Sequence, residues 1–196
     1  LILGGAMLLW LTEPISFLAA LFQSITTRTA GFSTIDIGAM TNAGLLVIMI
    51  LMFIGASPGS TGGGIKTTTF FVLLSGIYSA ATNHSERAFH NAIPKDAFRK
   101  ASVISILAAF LVMTASYLML IFDPQLSLRD VLFEMISAFS TSGLSTGITP
   151  QLSAQSRILS IIMMYIGRLG PLTVASLWYF TIGERVRYPE GTIAIG

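Results

Sequence analysis

The sequence predicts an all-α integral membrane protein that contains two parallel helix–loop–helix repeats. Three observations support this class: sparse charge, uncharged segments long enough to cross a bilayer, and a motif that recurs at a fixed spacing. Only 10% of the 196 residues are charged and 53% are apolar, whereas about 25% of the residues in a typical soluble domain are charged. With a mean hydropathy of +0.78, the chain has too few charges to cover a soluble particle of this size, which excludes a soluble enzyme.

Several functional classes are excluded by residues that are missing or scarce. The chain contains no cysteine, so it can form no disulfide, thiolate nucleophile or cysteine metal site. Its 11 basic residues are too few and too scattered for a nucleic-acid interface. His84 and His90 lack an acidic or cysteine neighbour at ligand spacing, so we interpret them as solvated loop residues. We therefore expect neither enzyme activity nor a bound cofactor.

Hydrophobic windows of about 20 residues define the segments. Ala101–Phe122 is uncharged and predicts a spanning helix; Ser156–Ile182 is also long enough, and Leu1–Leu11 is too short. Two further apolar segments, Pro14–Thr27 and Asp130–Phe139, would reach only about 15–21 Å as helices, which favours re-entrant helices. Both follow helix-start patterns, Thr12-Glu13-Pro14 and Ser127-Leu128-Arg129-Asp130.

Basic residues are concentrated on what we expect to be the cytoplasmic side. They are Arg87, Lys95, Arg99 and Lys100 in the segment 83–100, followed by Arg185 and Arg187 near the C-terminus. The connections around Glu13 and Asp123 carry little basic charge. The positive-inside rule therefore predicts a multi-pass protein of the cell membrane whose segment 83–100 and C-terminus are cytoplasmic.

An internal repeat relates the two halves of the chain. A shift of 112 residues aligns Thr29–Thr34 with Thr141–Thr146, and the same shift aligns Met52–Gly55 with Met164–Gly167. Each unit crosses the membrane twice, so the two units have the same orientation, unlike the inverted repeats of many transporters. Parallel units suit a central pore along the membrane normal.

The repeat also predicts the domain boundaries. The units are 1–81 and 101–182, joined by a cytoplasmic linker, 82–100, and followed by a cytoplasmic tail, 183–196. The shift maps Leu1–Leu11 onto the second half of a complete helix, so we expect the first unit to be truncated at its N-terminus.

The polar loop that follows each short helix is a candidate cation filter. Its residues are Thr29, Ala30, Gly31 and Phe32 in the first unit, and Thr141, Ser142, Gly143 and Leu144 in the second. Glycine can adopt the positive φ that turns successive carbonyls toward an axis, and rings of carbonyls replace the hydration shell of a potassium ion. Neither loop has a carboxylate, which favours a monovalent cation. The alternative is a polar turn that only packs two helices.

A glycine-rich segment interrupts the long apolar region Gly44–Ala81. As one helix this region would extend about 57 Å, nearly twice the hydrocarbon core. Five glycines and a proline between residues 55 and 64 predict a break and a loop at membrane depth, which is a candidate gate. The proposed gating residues are Ser57, Pro58, Gly59, Ser60, Thr61, Gly62, Gly63, Gly64 and Lys66. The spacing departs from that of a phosphate-binding loop, because Ile65 precedes the lysine.

Three basic residues near these loops need partners. Arg28 is expected to pair with Asp36 or another acid; the alternative is that it tunes the outer electric field. Lys66 either extends toward the cytoplasm or forms a positive latch below the pathway. Arg168 lies within a membrane segment, and we expect its guanidinium to bond carbonyls of the gating loop; the alternative is a pair with Glu134 or Glu13.

These motifs resemble the ion-translocating subunits of the bacterial Trk/Ktr potassium transporter family. The resemblance is carried by Thr26–Thr34, Ser57–Thr67, Gly167–Pro171 and Arg185–Glu190. It implies four helix–pore-loop–helix repeats around one pseudo-fourfold pore, of which this chain would supply the third and fourth. It also implies Gly31 and Gly143 as filter glycines, Arg168 as partner of the gating loop, a membrane homodimer with one pore per subunit, and a cytosolic nucleotide-binding regulatory ring.

The functional prediction is therefore potassium transport across the cell membrane, with potassium bound by backbone carbonyls and sodium as a second candidate ion. The partners expected are membrane lipid, the N-terminal half of the same pore, a second subunit and the regulatory ring. The alternative is a solute or anion carrier with broken helices, whose half-helix N-termini would face the substrate. That alternative predicts an inverted repeat.

Overall fold

The computed structural model describes residues 1–82, 87–88, 91–92 and 94–170, and these residues form an almost entirely helical fold. The helices are α1 (Ile2–Thr12), α2 (Phe17–Thr26), α3 (Asn42–Phe53), α4 (Thr67–Thr82), α5 (Lys95–Phe122), α6 (Leu128–Ser140) and α7 (Ala154–Leu169). A 3₁₀ turn covers Thr149–Gln151. Between α4 and α5, the two-residue strands β1 (Arg87–Ala88) and β2 (Asn91–Ala92) pair antiparallel, a small hairpin that the sequence did not predict.

Hydroxyl side chains define the start of four helices. Ser16, Thr41, Ser127 and Ser153 each accept a hydrogen bond from the backbone N–H three residues further on, which satisfies a donor that has no partner within the helix. The start predicted at Ser127 is therefore confirmed. The start predicted at Thr12-Glu13-Pro14 is wrong: Thr12 is the last residue of α1, and α2 begins after Ser16.

The helices pack as two three-helix units. In the first unit α1 contacts α2 and α3, and in the second α5 contacts both α6 and α7. Helix α3 packs on α6 and so joins the units, while α4 packs on α5. One buried core belongs to the second unit and is centred on Met119, Met135 and Phe139. The other belongs to the first unit but also contains Phe133 and Leu144 from the second.

Helix α5 has the properties of a membrane span. Of the described helices it alone is long and apolar enough to cross a bilayer, with a mean hydropathy of 2.3 over its best window within Asp96–Phe122. One face of it is exposed and apolar, and its members recur every three or four positions: Val103, Ile106, Phe110, Met113, Tyr117 and Ile121. Such a stripe on a helix surface fits contact with lipid. Helix α7 is described only to Leu169, so the predicted span to Ile182 extends outside the described residues, as do His84 and His90.

The predicted break in the region Gly44–Ala81 is present. Helix α3 ends at Phe53 and α4 begins at Thr67. The segment between them folds back on itself, since the N–H of Ile65 donates to the carbonyl of Phe53 at 3.1 Å and that of Thr67 donates to the carbonyl of Ala56 at 3.3 Å. The break thus creates a closed loop, and does not create a straight connection between two half-helices.

In each unit an acidic side chain joins the end of the first helix to the start of the last. Glu13, which directly follows α1, accepts from the N–H of Thr41 at 3.0 Å. Asp123, which directly follows α5, accepts from the N–H of Ser153 at 3.1 Å. Thr41 and Ser153 are the N-cap residues of α3 and α7, so the same device closes both units.

Candidate ion filter and gating loop

The two candidate filter loops share an unusual backbone conformation. Gly31 and Gly143 have φ of +80° and +84°, as the sequence analysis predicted for filter glycines. Thr29 and Thr141 also have positive φ, at +73° and +55°, which sequence reasoning did not anticipate. Such a conformation costs a β-branched residue on the order of 1–3 kcal/mol and is found mostly at functional sites.

A buried hydroxyl from the last turn of each short helix holds the residue after the filter glycine. Thr26 Oγ1 accepts from the N–H of Phe32 at 2.9 Å and donates to its carbonyl at 2.6 Å. In the second unit Ser137 Oγ donates to the carbonyl of Leu144 at 2.5 Å. These bonds aim the Phe32 and Leu144 carbonyls at the scaffold, so these two oxygens are the least suited of the candidate filter oxygens to face an ion.

The remaining loop carbonyls are free to bind a ligand. Among the hydrogen bonds of the described residues, none ends on the main-chain oxygens of Thr29, Ala30, Gly31, Thr141, Ser142 and Gly143. Ala30 and Gly143 are exposed, but Thr29, Gly31, Thr141 and Ser142 are buried or half-buried, where a carbonyl normally has a partner. These unpaired oxygens therefore narrow the candidate coordination set to three consecutive residues in each loop.

The two loops lie directly against each other. A methyl group added at Gly31 would lie only 2.3 Å from the carbonyl oxygen of Ser142, and one added at Gly143 would lie 3.7 Å from Cα of Gly31. Backbone atoms therefore approach more closely here than any side chain would allow. Two loops separated by 112 residues in sequence share a single site.

The glycine-rich loop packs against both filter loops. The N–H of Gly63 donates to Thr141 Oγ1 at 3.0 Å, and the N–H of Gly64 donates to the carbonyl of Phe139 at 3.3 Å. A methyl group at Gly62 would lie 2.7 Å from Cγ2 of Thr29. The inner part of the loop, Gly62–Gly64, is buried, while its tip, Ser57–Thr61, is exposed. The tip contains Pro58, and Gly59 within it has φ of +82°.

Lys66 stabilises this loop from within. Its Nζ donates to the carbonyl of Gly62 at 2.6 Å and to that of Ser60 at 3.2 Å. Whether Lys66 extends toward the cytoplasm or forms a latch below the pathway stays a prediction. Ammonium-to-carbonyl bonds are stronger than neutral ones, so Lys66 holds the tip over the buried glycines.

The expected pairing of Arg28 with Asp36 is wrong. Arg28 Nη2 donates to the carbonyl of Gly55 at 3.0 Å, whereas Asp36 Oδ1 accepts from the N–H of Gly38. Gly55 follows α3, where the last helical carbonyls lack intrahelical donors and carry partial negative charge. A guanidinium donor therefore suits a position next to the C-terminal end of α3.

Arg168 lies beside Lys66 on a cavity of about 260 Å³ under the loop. The hydrogen bonds of the described residues include none between Arg168 and the loop carbonyls, so its role as gate partner stays a prediction. The alternative acid partners are otherwise engaged: Glu13 accepts from Thr41 and Glu134 accepts from Thr149.

Glu134 is a buried carboxylate that the sequence analysis considered only as a partner for Arg168. It is 8% exposed and lines a cavity of about 410 Å³ together with Thr141 and Gly143. Its Oε2 has no hydrogen-bond partner among the described residues. The sequence offered one indication that Glu134 is special, namely an acid in the middle of the helix α6.

Two short helices each lead into a loop with unpaired carbonyls, and a glycine-rich loop contacts both of these loops, so the site belongs to a helical protein built from two similar units. The family described as "TrkH: Cation transport protein" matches residues 5–181. The chain belongs to this family.

Named relatives place the chain more closely. It is 36% identical over 179 residues to the Ktr system potassium uptake protein B of Bacillus subtilis, covering 91% of this chain and 40% of that protein. It is 40% identical over 183 residues to the Ktr system potassium uptake protein D of the same organism, covering 90% and 40%. The potassium/sodium uptake protein NtpJ of Enterococcus hirae is 35% identical over 182 residues, covering 89% and 40%.

The fold is also found in a solved structure. The crystal structure of the potassium transporter TrkH from Vibrio parahaemolyticus matches with a TM-score of 0.74 at 20% identity, over 91% of this chain and 42% of that one. The chain thus spans about 40% of the length of its curated relatives.

Proposed function

We propose that this chain forms half of a potassium-translocating pore with a carbonyl selectivity filter. The observation that carries the proposal is the meeting of the two loops, where Gly31 and Gly143 at positive φ bring unpaired carbonyls of both units together. Carbonyl dipoles can replace the water around a potassium ion. The C-terminal ends of α2 and α6 point toward the same place, and their negative ends favour cations over anions.

The glycine-rich loop is proposed as the gate of this pore. Its buried part, Gly62–Gly64, packs on the helix-end side of the filter loops through contacts that only glycines allow. Its exposed tip, Ser57–Thr61, has room to move, and Lys66 holds it in the present position. Non-helical backbone at membrane depth is tolerated where it lines a cavity or is buried in protein.

Two further units are proposed to complete the ring, supplied by the N-terminal half of the same pore. Leu144 of the second unit inserts into the core of the first beside Ile48 and Met52. The repeat shift of 112 residues maps Ile48 and Met52 onto Ser160 and Met164 of α7, and these two residues line an open cavity of about 410 Å³. By analogy with Leu144, we propose that a loop residue of a neighbouring unit fills this cavity. Phe32 is proposed to insert in the same way into the neighbouring unit on the opposite face of the chain.

Other parts of the proposal rest on the family resemblance. They are a homodimer with one pore per subunit, a cytosolic nucleotide-binding regulatory ring, and a cytoplasmic position for segment 83–100 and the C-terminus. Sodium is a second candidate ion, since the Enterococcus hirae relative is named a potassium/sodium uptake protein.

One observation favours the rival, an anion or solute carrier. Lys66 and Arg168 line one cavity, and among its described lining residues there is no acid. The carrier model requires half-helix N-termini facing the substrate, whereas α2 and α6 present their C-terminal ends to the joined loops. The cation pore is therefore the function that the geometry supports better.

The filter assignment is tested by Gly143→Ser in the complete transporter that carries this chain. Serine at φ of +84° disturbs the carbonyls, so we expect the ratio of potassium to sodium uptake to fall. Gly147→Ser is the matched control, because Gly147 also has positive φ (+97°) but lies beyond the filter residues. The assignment fails if both variants keep the parental ratio, or if chloride substitution alters flux more than potassium substitution does.

A further inference from the structure

We propose that Arg28 is a positioning residue that latches the gating loop to the first filter loop, so that filter and gate share one set of contacts. This inference rests on the proposed function, since it takes Ser57–Lys66 as the gate. Arg28 directly precedes Thr29 in the chain, and its guanidinium reaches the start of the loop that follows α3.

The bond that carries the proposal joins Arg28 Nη2 to the carbonyl of Gly55 at 3.0 Å. Gly55 lies two residues after the end of α3, where the chain leaves the helix and enters the glycine-rich loop. A methyl group at Gly55 would lie 2.1 Å from the carbonyl of Gly63, so the entry and return strands of the loop touch there. Arg28 thus holds the base of the loop, where a small displacement moves the whole tip.

A second anchor comes from the other filter loop. The N–H of Gly63 donates to the hydroxyl of Thr141 at 3.0 Å, and Thr141 is held at φ of +55°. The gating loop is therefore bonded to Arg28 in the first unit and, through Gly63 and Gly64, to Thr141 and to the carbonyl of Phe139 in the second. Moving the loop away breaks these bonds and releases the Thr141 hydroxyl beside the candidate filter.

Within the described part of the chain, the Arg28 guanidinium does not pair with an acid. Among the described residues, the ion pairs within 4.0 Å include only Arg129 with Asp130, and Asp36 is occupied by the N–H of Gly38. Lys66 differs from Arg28 because its bonds stay within the loop. Lys66 therefore shapes the gate, whereas Arg28 attaches the gate to the filter.

The experiment measures how accessible the base of the gating loop is. The chain contains no cysteine, so Ala56→Cys, at a position that is only 8% exposed and directly follows Gly55, supplies one reporter once any cysteine elsewhere in the complete transporter is replaced. A thiol-specific methanethiosulfonate reagent is applied from the cytoplasmic side to purified, reconstituted protein held closed without its regulator. Arg28→Gln should speed labelling about tenfold or more, the population change produced by losing one charge-assisted hydrogen bond.

Three further variants separate the latch from a merely structural role. Arg28→Met keeps the aliphatic stem that packs against the loops and should speed labelling as Arg28→Gln does, even where Arg28→Gln accumulates poorly. Arg129→Gln removes an exposed arginine distant from the loop and should leave the labelling rate unchanged. Arg28→Lys retains one cationic donor and should give a rate between those of the parent and Arg28→Gln.

The outcomes distinguish this inference from the proposed function. If Arg28→Gln and Arg28→Met both label at the parental rate, Arg28 does not hold the gating loop and this inference is wrong. Faster labelling with unchanged potassium flux supports the latch but removes the gate assignment from residues 57–66. Faster labelling together with higher basal flux, at a parental potassium-to-sodium ratio, supports both.

Discussion

The two candidate filter loops have nearly the same backbone but different surroundings. Leu144 is 3% exposed because it inserts into the core of the first unit, whereas its counterpart Phe32 is 71% exposed. Both carbonyls are nevertheless held by a hydroxyl from the preceding helix. The comparison shows that the hydroxyl-to-carbonyl bond within each unit forms whether or not the side chain after the glycine is covered by the other unit.

The largest expected effect distinguishes the two filter glycines. A methyl group at Gly31 meets the backbone oxygen of Ser142 at 2.3 Å, while Gly143 has only Cα of Gly31 within 4 Å. Both positions carry the cost of positive φ, about 1–2 kcal/mol for alanine, but only Gly31→Ala also forces two loops apart. Gly31→Ala should abolish potassium uptake and lower protein yield, and Gly143→Ala should retain part of both.

Uptake in a potassium-deficient bacterial host, together with the yield of purified protein, measures this difference. Gly147→Ala is the control, since nothing lies within 4 Å of a methyl group at that position. Equal losses at Gly31 and Gly143 would mean that the two loops do not meet as described.

A smaller effect is expected for the residues that follow the glycines. Leu144→Ala removes a buried side chain and should cost about 2–5 kcal/mol of stability, measured as a lower melting temperature in detergent. Phe32→Ala should cost almost nothing in this chain alone, because the ring is exposed. In the complete transporter the proposed neighbouring unit covers Phe32, so there the cost should approach that of Leu144→Ala; a negligible cost in both contexts would count against the ring.

The smallest effect concerns the acidic residues that close the units. Hydrogen bonds from the Ser156 hydroxyl and from Ser153 hold the pKa of Asp123 below its ordinary value of 3.8. Because the pKa of Asp123 is lower in the folded state than in the unfolded state, the ionised carboxylate stabilises the fold above about pH 4. This stabilisation is lost as the pH falls through the folded-state pKa. Asp123→Asn should lower the free energy of unfolding at pH 7 by about 1 kcal/mol. It should also make that free energy less dependent on pH between about pH 5 and pH 3. An acid-induced transition identical to that of the parent would show that the carboxylate contributes nothing.

Much of the fold was predictable from the sequence, because it depends on local composition and spacing. The uncharged segment Ala101–Phe122 indicated α5, the glycines between residues 55 and 64 indicated the break after α3, and Ser127 indicated the start of α6. The glycines with positive φ were also predictable, since few other residues adopt that conformation.

The remaining features depend on contacts between distant residues. The partner of Arg28 is a backbone carbonyl 27 residues away. Every residue has such a carbonyl, so the sequence cannot identify which one binds Arg28, whereas it does identify Asp36 as an acid. Likewise, Ser16 and not Thr12 caps α2, because Thr12 bonds backward to Leu8 and extends α1. The positive φ at Thr29 and Thr141 contradicts local preference and requires packing to hold it.

The contacts of Glu13 with Thr41 and of Asp123 with Ser153 connect residues 28 and 30 positions apart. Each unit can therefore tie its own ends before the rest of the chain has been synthesised, because short sequence separations lower the entropy cost of closure. Biogenesis can then proceed as the sequential addition of units that are already closed. The contacts between the units, such as that of Gly31 with Ser142 and the packing of α3 on α6, have to wait for the second unit to leave the ribosome.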